Sequence, residues 1–232
     1  MKAISSMATR QVLSDLLSAA ESAGLGSVAL ESVGGVDAAK RVAGGEALDL
    51  VFLADGALST LAEAGHVDGA TIRPLLLSQV AVAVPSGEDR PATRPEDVAF
   101  PDADGVRQAL REASRIGYST GPSGTALLRM IDAWGLMSDV GDRLVQARPG
   151  IPVARLLAAG EVDLGFQQLS ELVGEPGVRI LGVLPADCAV STVFSGAVAT
   201  ASENPAAAAA VLDHLASAAA VELKTAHSFD PC

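Results

Sequence analysis

The sequence predicts an α/β chain built as two similar lobes, and three observations carry that prediction. Helix and strand signals alternate from end to end, the pattern of a parallel sheet covered by helices. One helix–turn–strand unit occurs twice. Several strand-to-helix turns are polar or glycine-rich just before a helix begins.

Length and composition agree. The 232 residues suit one large domain or two of roughly 100–150 residues. With 49% hydrophobic and 19% charged residues, the chain can fill real cores and is not disordered. Only 3% is aromatic, so small residues carry the interior, as helices packed closely on parallel strands require. The net charge of −12, with no Lys/Arg-rich patch, argues against nucleic acid. It does not exclude an anionic ligand, because helix-start amides are locally positive whatever the net charge. Cys188 and Cys232 read as free thiols. No His/Asp/Glu cluster has metal-ligand spacing, so no metal or cofactor is expected. The opening Met1-Lys2-Ala3-Ile4 lacks the basic-then-apolar order of an export signal. As written the chain reads as cytoplasmic, or as periplasmic if it is a mature form. No apolar run approaches the ~20 residues of a membrane span.

The elements follow in order. Met1–Ile4 is a short strand. Thr9–Ala23 is a helix, with Val12, Leu13, Leu16 and Leu17 at helical spacing and Gly24 after it. Ser27–Leu30 is a strand, Val36–Ala43 a helix, Leu48–Leu53 an apolar strand and Ala57–Ala64 a helix. Val80–Val84 is a strand, and Pro85–Pro95 a surface loop rich in Pro, Gly and charge. Gly105–Ser114 is helical, Ile116–Ser119 a strand and Thr125–Trp134 a helix. Leu144–Gln146, Val162–Gln167, Val178–Val183 and Val190–Thr200 are strands. Helices cover Pro152–Ala159 and begin again at Ser170. Pro205–Ala226 is one long Ala-rich helix or two, with Ser202 as a candidate cap.

The repeated unit is Lys40-Arg41-Val42-Ala43-Gly44-Gly45-Glu46-Ala47-Leu48-Asp49-Leu50-Val51-Phe52, echoed by Ala154-Arg155-Leu156-Leu157-Ala158-Ala159-Gly160-Glu161-Val162-Asp163-Leu164-Gly165-Phe166. Both read helix, Gly-Glu turn, Asp-Leu, strand. Gly34-Gly35 precedes the first and Gly150 the second.

Four turns are candidates for holding a ligand. They are Ser5-Ser6-Met7-Ala8, Ser32-Val33-Gly34-Gly35, Ser119-Thr120-Gly121-Pro122-Ser123-Gly124-Thr125 and Arg148-Pro149-Gly150-Ile151. In open α/β sheets ligands bind beyond the carboxyl ends of the strands. Helix starts there offer unpaired N–H donors, Ser and Thr add hydroxyls, and Gly lets the backbone come close. Ordinary capping by Ser and Thr is the competing reading. Phosphate-loop, dinucleotide and nucleophile-elbow patterns are absent. Arg10 follows the first turn and Arg148 opens the fourth; either could fork onto a carboxylate. Gln167 and Gln168 end an apolar strand, where a buried amide needs partners. The candidate ligand residues are therefore Ser5, Ser6, Arg10, Ser32, Gly34, Gly35, Ser119, Thr120, Pro122, Ser123, Gly124, Thr125, Arg148, Gly150, Gln167 and Gln168.

At these residues the chain resembles the class II periplasmic binding proteins, in their molybdate-binding-protein-like branch, over nearly its whole length. Asp49-Leu50-Val51-Phe52-Leu53-Ala54-Asp55 is similar to that family's Asp-Leu-Phe-Ile-Ser-Ala-Asp, and Gly160-Glu161-Val162-Asp163-Leu164-Gly165-Phe166 to its Gly-Glu-x-x-Leu-Gly-Ile. Asn204-Pro205-Ala206-Ala207-Ala208 through Phe229-Asp230-Pro231 resembles its Asn-Pro-Glu-Ala-Ala ending. The resemblance implies two lobes, residues 1–78 plus 196–232 and residues 83–192, with hinge strands near 79–82 and 193–195 and a ligand cleft between the lobes. Ser6 matches the serine of the family's first turn. Val33-Gly34-Gly35-Val36 stands where molybdate binders have a serine run, and Gln168 where they have a Tyr. Those departures weigh against molybdate and tungstate. Gly117-Tyr118-Ser119-Thr120-Gly121-Pro122-Ser123-Gly124 and Gly165-Phe166-Gln167-Gln168-Leu169-Ser170-Glu171-Leu172 resemble a sub-branch that includes aconitate isomerase, which implies a carboxylate ligand.

Two functions stay open. One is a binding module that captures a small anion for membrane transporter subunits. The other is an isomerase that moves a double bond in a tricarboxylate by proton transfer, which needs an acid–base group and donors for enolate-like charge. Asp55, Glu31 and Tyr118 are candidates for the base.

Overall fold

The computed structural model describes residues 1–232. The chain enters a first unit through β1 (Lys2–Ser6), α1 (Arg10–Ser22), β2 (Ala29–Val33), α2 (Gly35–Ala43), β3 (Leu50–Ala54) and α3 (Asp55–Glu63). It then runs along β4 (Arg73–Pro85), inside which the first unit ends at Leu77 and the second begins at Ser78. The second unit holds α4 (Ala103–Glu112), β5 (Ile116–Tyr118), α5 (Pro122–Ala133), α6 (Met137–Val140), β6 (Leu144–Gln146), α7 (Val153–Ala158), β7 (Leu164–Gln168), α8 (Leu169–Leu172) and β8 (Val178–Val183). The chain returns to the first unit in β9 (Ser191–Val198), at Thr192, and finishes with α9 (Pro205–Ala216), α10 (Val221–Ala226) and β10 (Asp230–Pro231).

In the first unit β2, β1 and β3 are parallel, with Ser5 opposite Ser32 and Ala3 opposite Leu50. β9 runs antiparallel to β3, and β10 antiparallel to the first part of β4. One face of this sheet packs Leu13, Leu16 and Leu17 of α1 with Val211, Leu212 and Leu215 of α9. The other buries Ile4, Val51 and Leu53 under Ala38 and Val42 of α2 and Leu58 and Leu61 of α3. In the second unit β5 lies parallel to both β6 and β7, and the later part of β4 runs antiparallel to β7 and β8. Phe166, Ile116 and Val82 pack with Leu127 and Ile131 of α5 on one face. Ala81 and Ala83 pack with Val153, Ala154 and Leu157 of α7 on the other.

The repeated unit has a structural meaning. Asp49 accepts the amide of Lys2 at 2.8 Å, at the start of β1. Asp163 accepts the amides of Ser114 and Arg115, each at 2.8 Å, just before β5. In both units an aspartate at the foot of one strand clasps the start of its parallel neighbour.

Several sequence expectations are corrected. β4 is 13 residues long, because Leu75, Leu76 and Leu77 continue the strand behind Pro74, which sits near its start where a missing donor is tolerated. α5 begins at Pro122, not at Thr125, with Pro in the first turn where its fixed φ suits the helix. Of the two readings of the Ala-rich stretch, one helix or two, the structure has two, broken at Ser217 by an extended backbone with ψ 167°. Asn204, not Ser202, takes the cap position of α9; Ser202 instead accepts from the Asn204 amide and donates to Asp49 at 2.6 Å. No single helix is long and apolar enough to cross a membrane.

Candidate ligand site

In the first unit the two candidate turns meet. The register of β1 and β2 sets Ser5 against Ser32, and their hydroxyl oxygens lie 2.7 Å apart. Ser5 is fully buried and also donates to the Ser6 carbonyl at 3.1 Å, so it ties the turns together. A Cβ added to Gly35 would stand 3.6 Å from the Ser6 Cβ, so α2 starts directly beside the Ser6 turn. Thr9, which sequence reading passed over, donates to the Ser6 carbonyl at 3.2 Å and lies 3.5 Å from the Ser6 hydroxyl. Arg10 opens α1, is exposed and takes part in no ion pair.

In the second unit the three parallel strands end side by side. Tyr118 pairs with Phe166 on one flank and Gln146 on the other. The residues just beyond those pairs are Ser119, Gln167 and Ala147, with Arg148 next. Ser119 and Ser123 hydroxyls lie 2.8 Å apart. Thr125 donates its amide to Gly121 at 3.1 Å, the first intrahelical bond of α5, which leaves the amides of Ser123 and Gly124 without an intrahelical acceptor. Thr120, Pro122 and Thr125 are exposed at the same turn. Gly124 has a packing role: a Cβ there would stand 1.8 Å from the Ser119 carbonyl oxygen. Gly150, with φ 78°, sits behind Pro149 in a turn closed by the Ile151 amide on the Arg148 carbonyl at 3.0 Å. Positive φ at that position of a Pro-Gly turn is what calls for glycine. Arg148 is exposed and outside every ion pair.

Capping and first-turn charge separate the starts of α1 and α5 from those of α2, α3 and α4. Ser6, at the first turn, and Gly121, before α5, make no side-chain cap bond, and neither α1 nor α5 carries an acid in its first turn. By contrast Asp102 accepts the Gly105 amide at the start of α4. α2 and α3 bring their own carboxylates, Asp37 and Asp55; Asp37 lies close enough that a Cβ on Gly34 would be 3.4 Å from its Oδ2. A carboxylate near a helix start is worth about 0.3–1 kcal/mol to the helix, and it repels an incoming anion. The starts of α1 and α5 thus lack both, as do those of α7, where Gln167 takes the Val153 amide, and α9, which follows none of the candidate turns.

The glutamines face opposite sides of β7 by strand alternation, and both are buried. Gln167 accepts the Val153 amide at 2.7 Å, at the start of α7. Glu171 was missed at the sequence level. Burial pushes its carboxyl up to about 7 against the lowering effect of Gln167. Its signal was faint: an acid four residues beyond Gln167, on a helix that starts where the strand ends.

Of the three base candidates, Glu31 lies at the surface, gripped by Arg41 through both carboxylate oxygens at 2.7 and 2.8 Å, and Arg41 holds its carboxyl below the ordinary range. Asp55 accepts the Ser195 hydroxyl at 2.7 Å. Tyr118 is half-buried against the α5 core.

Two α/β units, each with parallel strands ending in hydroxyl- and glycine-rich turns, define the two-lobed fold of class II periplasmic binding proteins. The chain belongs to the bacterial extracellular solute-binding protein family, whose profile matches residues 1–230. It is 36% identical over 179 residues to an aconitate isomerase from Pseudomonas sp, an alignment that covers 76% of this chain and 65% of that relative. The fold also matches the periplasmic molybdate-binding protein of Azotobacter vinelandii, with a TM-score of 0.76, 18% identity, and coverage of 99% of this chain and 98% of that one. The sulfate-binding protein of Mycobacterium tuberculosis matches with a TM-score of 0.75, 20% identity, and coverage of 100% and 86%.

Proposed function

We propose that this protein binds a small organic polycarboxylate anion at its strand-end hydroxyl- and glycine-rich turns, as a solute-binding protein. The observation that carries the reading is the pair of helix starts, α1 and α5, that have neither a side-chain cap nor an acid. Arg10 adds an unpaired guanidinium beside the first, and Arg148 another on the turn beyond β6. Two exposed apolar residues favour an organic anion over a bare oxyanion. Val36, in the first turn of α2, is 61% exposed, and Ile151, beside Gly150, is 47% exposed. Apolar side chains at such turns suit a hydrocarbon skeleton and offer nothing to a tetrahedral oxyanion. If the protein serves as a receptor, membrane transporter subunits are its partners.

Calorimetric titration with trans-aconitate, citrate, sulfate and molybdate tests this. A carboxylate should bind and the inorganic anions should bind weakly or not at all. Arg10→Ala and Arg148→Ala should each weaken binding about 10- to 100-fold, the range of a lost charge-assisted hydrogen bond, and Ser123→Ala by roughly 3- to 10-fold. Tight molybdate binding with no response to carboxylates would sink the reading.

A second reading is an aconitate-isomerase-like activity, favoured by the 36% identical relative of that name. A proton would leave the carbon beside one carboxylate and return at another carbon, while helix-start amides stabilise the enolate-like charge. Proton NMR of the protein incubated with trans-aconitate decides it: appearance of the cis isomer, lost in Arg10→Ala, supports the enzyme.

A further inference from the structure

The turn between β2 and α2 differs in polarity from the Ser6 turn beside it, and the hydroxyl protons show how. A serine hydroxyl has one proton and two lone pairs. Ser5 donates its proton to the Ser6 carbonyl at 3.1 Å, an oxygen that can only accept. The 2.7 Å contact between the Ser5 and Ser32 hydroxyls therefore runs one way: Ser32 donates and Ser5 accepts. Ser5 is fully buried, so this direction is set inside unit 1. Ser32, near the end of β2, is partly exposed. Its one proton is held inward by Ser5, and its oxygen accepts from no group of the protein. What Ser32 offers a ligand is a lone pair, not a proton.

A second acceptor stands at the same turn. Asp37, in the first turn of α2, is exposed and enters no ion pair. Its Oδ2 would lie 3.4 Å from a Cβ on Gly34. Arg41, in the last turn of α2, is committed to Glu31 and Glu46. The Ser6 turn has the opposite character. Thr9 gives its proton to the Ser6 carbonyl, and the Ser6 hydroxyl lies 3.5 Å from the Thr9 oxygen, at the outer limit of a hydrogen bond. Ser6 thus keeps a proton to donate, with Arg10 following it. An ionised carboxylate has no proton, so it suits the Ser6 turn and is refused by Ser32 and Asp37. An alcohol group suits both acceptors.

We propose that the β2–α2 turn recognises a hydroxyl group of the ligand, with Ser32 and Asp37 as acceptors, so that the ligand is a hydroxylated polycarboxylate. The inference rests on the anion-binding reading above and narrows its ligand class. The ligand hydroxyl donates to the Ser32 oxygen or the Asp37 carboxylate, and a hydrogen bond to an ionised group is the stronger of the two. An analogue without the hydroxyl covers these acceptors and leaves them unpaired, which weakens binding beyond the loss of one contact.

The test is calorimetry at about pH 8, above the carboxyl range. It compares citrate with propane-1,2,3-tricarboxylate, which is citrate without its hydroxyl. Wild type should bind citrate about tenfold more tightly or better. In Ser32→Ala that ratio should fall toward one. It should fall in Asp37→Asn too, whose amide can donate as well as accept; Asp37 is exposed, so this variant keeps the test open should a serine variant unfold. Ser5→Ala removes the acceptor that holds the Ser32 proton inward. The freed proton can then meet a carboxylate, and the ratio should fall although Ser32 is intact. Equal binding of the two acids by wild type would overturn the inference while leaving anion binding standing. So would a wild-type ratio that persists in both Ser32→Ala and Asp37→Asn. Failure of wild type to bind either acid or trans-aconitate overturns the parent reading and this one with it.

Discussion

At the scale of single residues, the site turns are built by contacts that also limit substitution. Gly124 lets the first turn of α5 sit on the Ser119 carbonyl, with room for a hydrogen and for nothing larger. A methyl there would push the Ser119–Gly121 segment away from the helix start and break the Ser119–Ser123 hydroxyl pair. Gly124→Ala should therefore destabilise unit 2 by about 1–3 kcal/mol, the cost of overpacking, and weaken ligand binding, measured by denaturant unfolding and calorimetry on one preparation. Stability like that of wild type would show that the turn relaxes freely. The same scale explains why Ser5 and Gln167, both candidate ligand residues, hold their polar groups against Ser32 and Val153. Residue type announced polarity at these positions, and the neighbours decided where it points.

At the scale of elements, the repeated Asp-Leu unit acts as a clasp. Burial alone would raise the Asp163 carboxyl, yet the amides of Arg115 and Ser114 outweigh it and hold it below the ordinary 3.8. Asp49 behaves alike: burial opposes, and the Ser202 hydroxyl and Lys2 amide prevail. Both groups are more acidic folded than unfolded. Their contribution is present above the ordinary carboxylate range and is lost as pH falls below about 3.8. Asp163→Asn keeps one acceptor and loses the charge. It should cost about 1–2 kcal/mol at neutral pH and reduce the acid-induced loss of stability, as read from denaturant midpoints across the pH range. An unchanged acid profile would mean the clasp does not hold β5 to β7.

At the scale of the whole molecule, Glu171 shapes how stability varies with pH. Its carboxyl is raised from the ordinary 4.5 to about 7, so the favourable protonated state is complete below about 4.5 and is lost as pH rises through 7. Glu171→Gln should match wild type near pH 4.5 and exceed it at pH 8.5. The excess is at most about 3 kcal/mol, at roughly 1.4 kcal/mol per unit of displacement. Equal stability at pH 8.5 would show that the carboxyl meets water when ionised.

Much of this was legible in the chain itself. Alternating helix and strand periods, the doubled Lys40–Phe52 and Ala154–Phe166 unit, and the hydroxyl-glycine turns pointed to a two-unit α/β fold, because local periodicity and turn chemistry act over a few residues; the family showed itself only through the resemblance of longer motifs. The Pro74 strand start, the early start of α5 at Pro122 and the position of the break at Ser217 were hidden, since each depends on what the segment packs against. The sequence by itself determined which turns carry donors. Only tertiary structure decided which of them remain open: Asp37 lies against Gly34, Asp102 caps α4, Arg41 takes Glu31, and Gln167 takes the Val153 amide. Charge and burial at a site are set by side chains that arrive from distant parts of the chain, and no local pattern encodes their meeting.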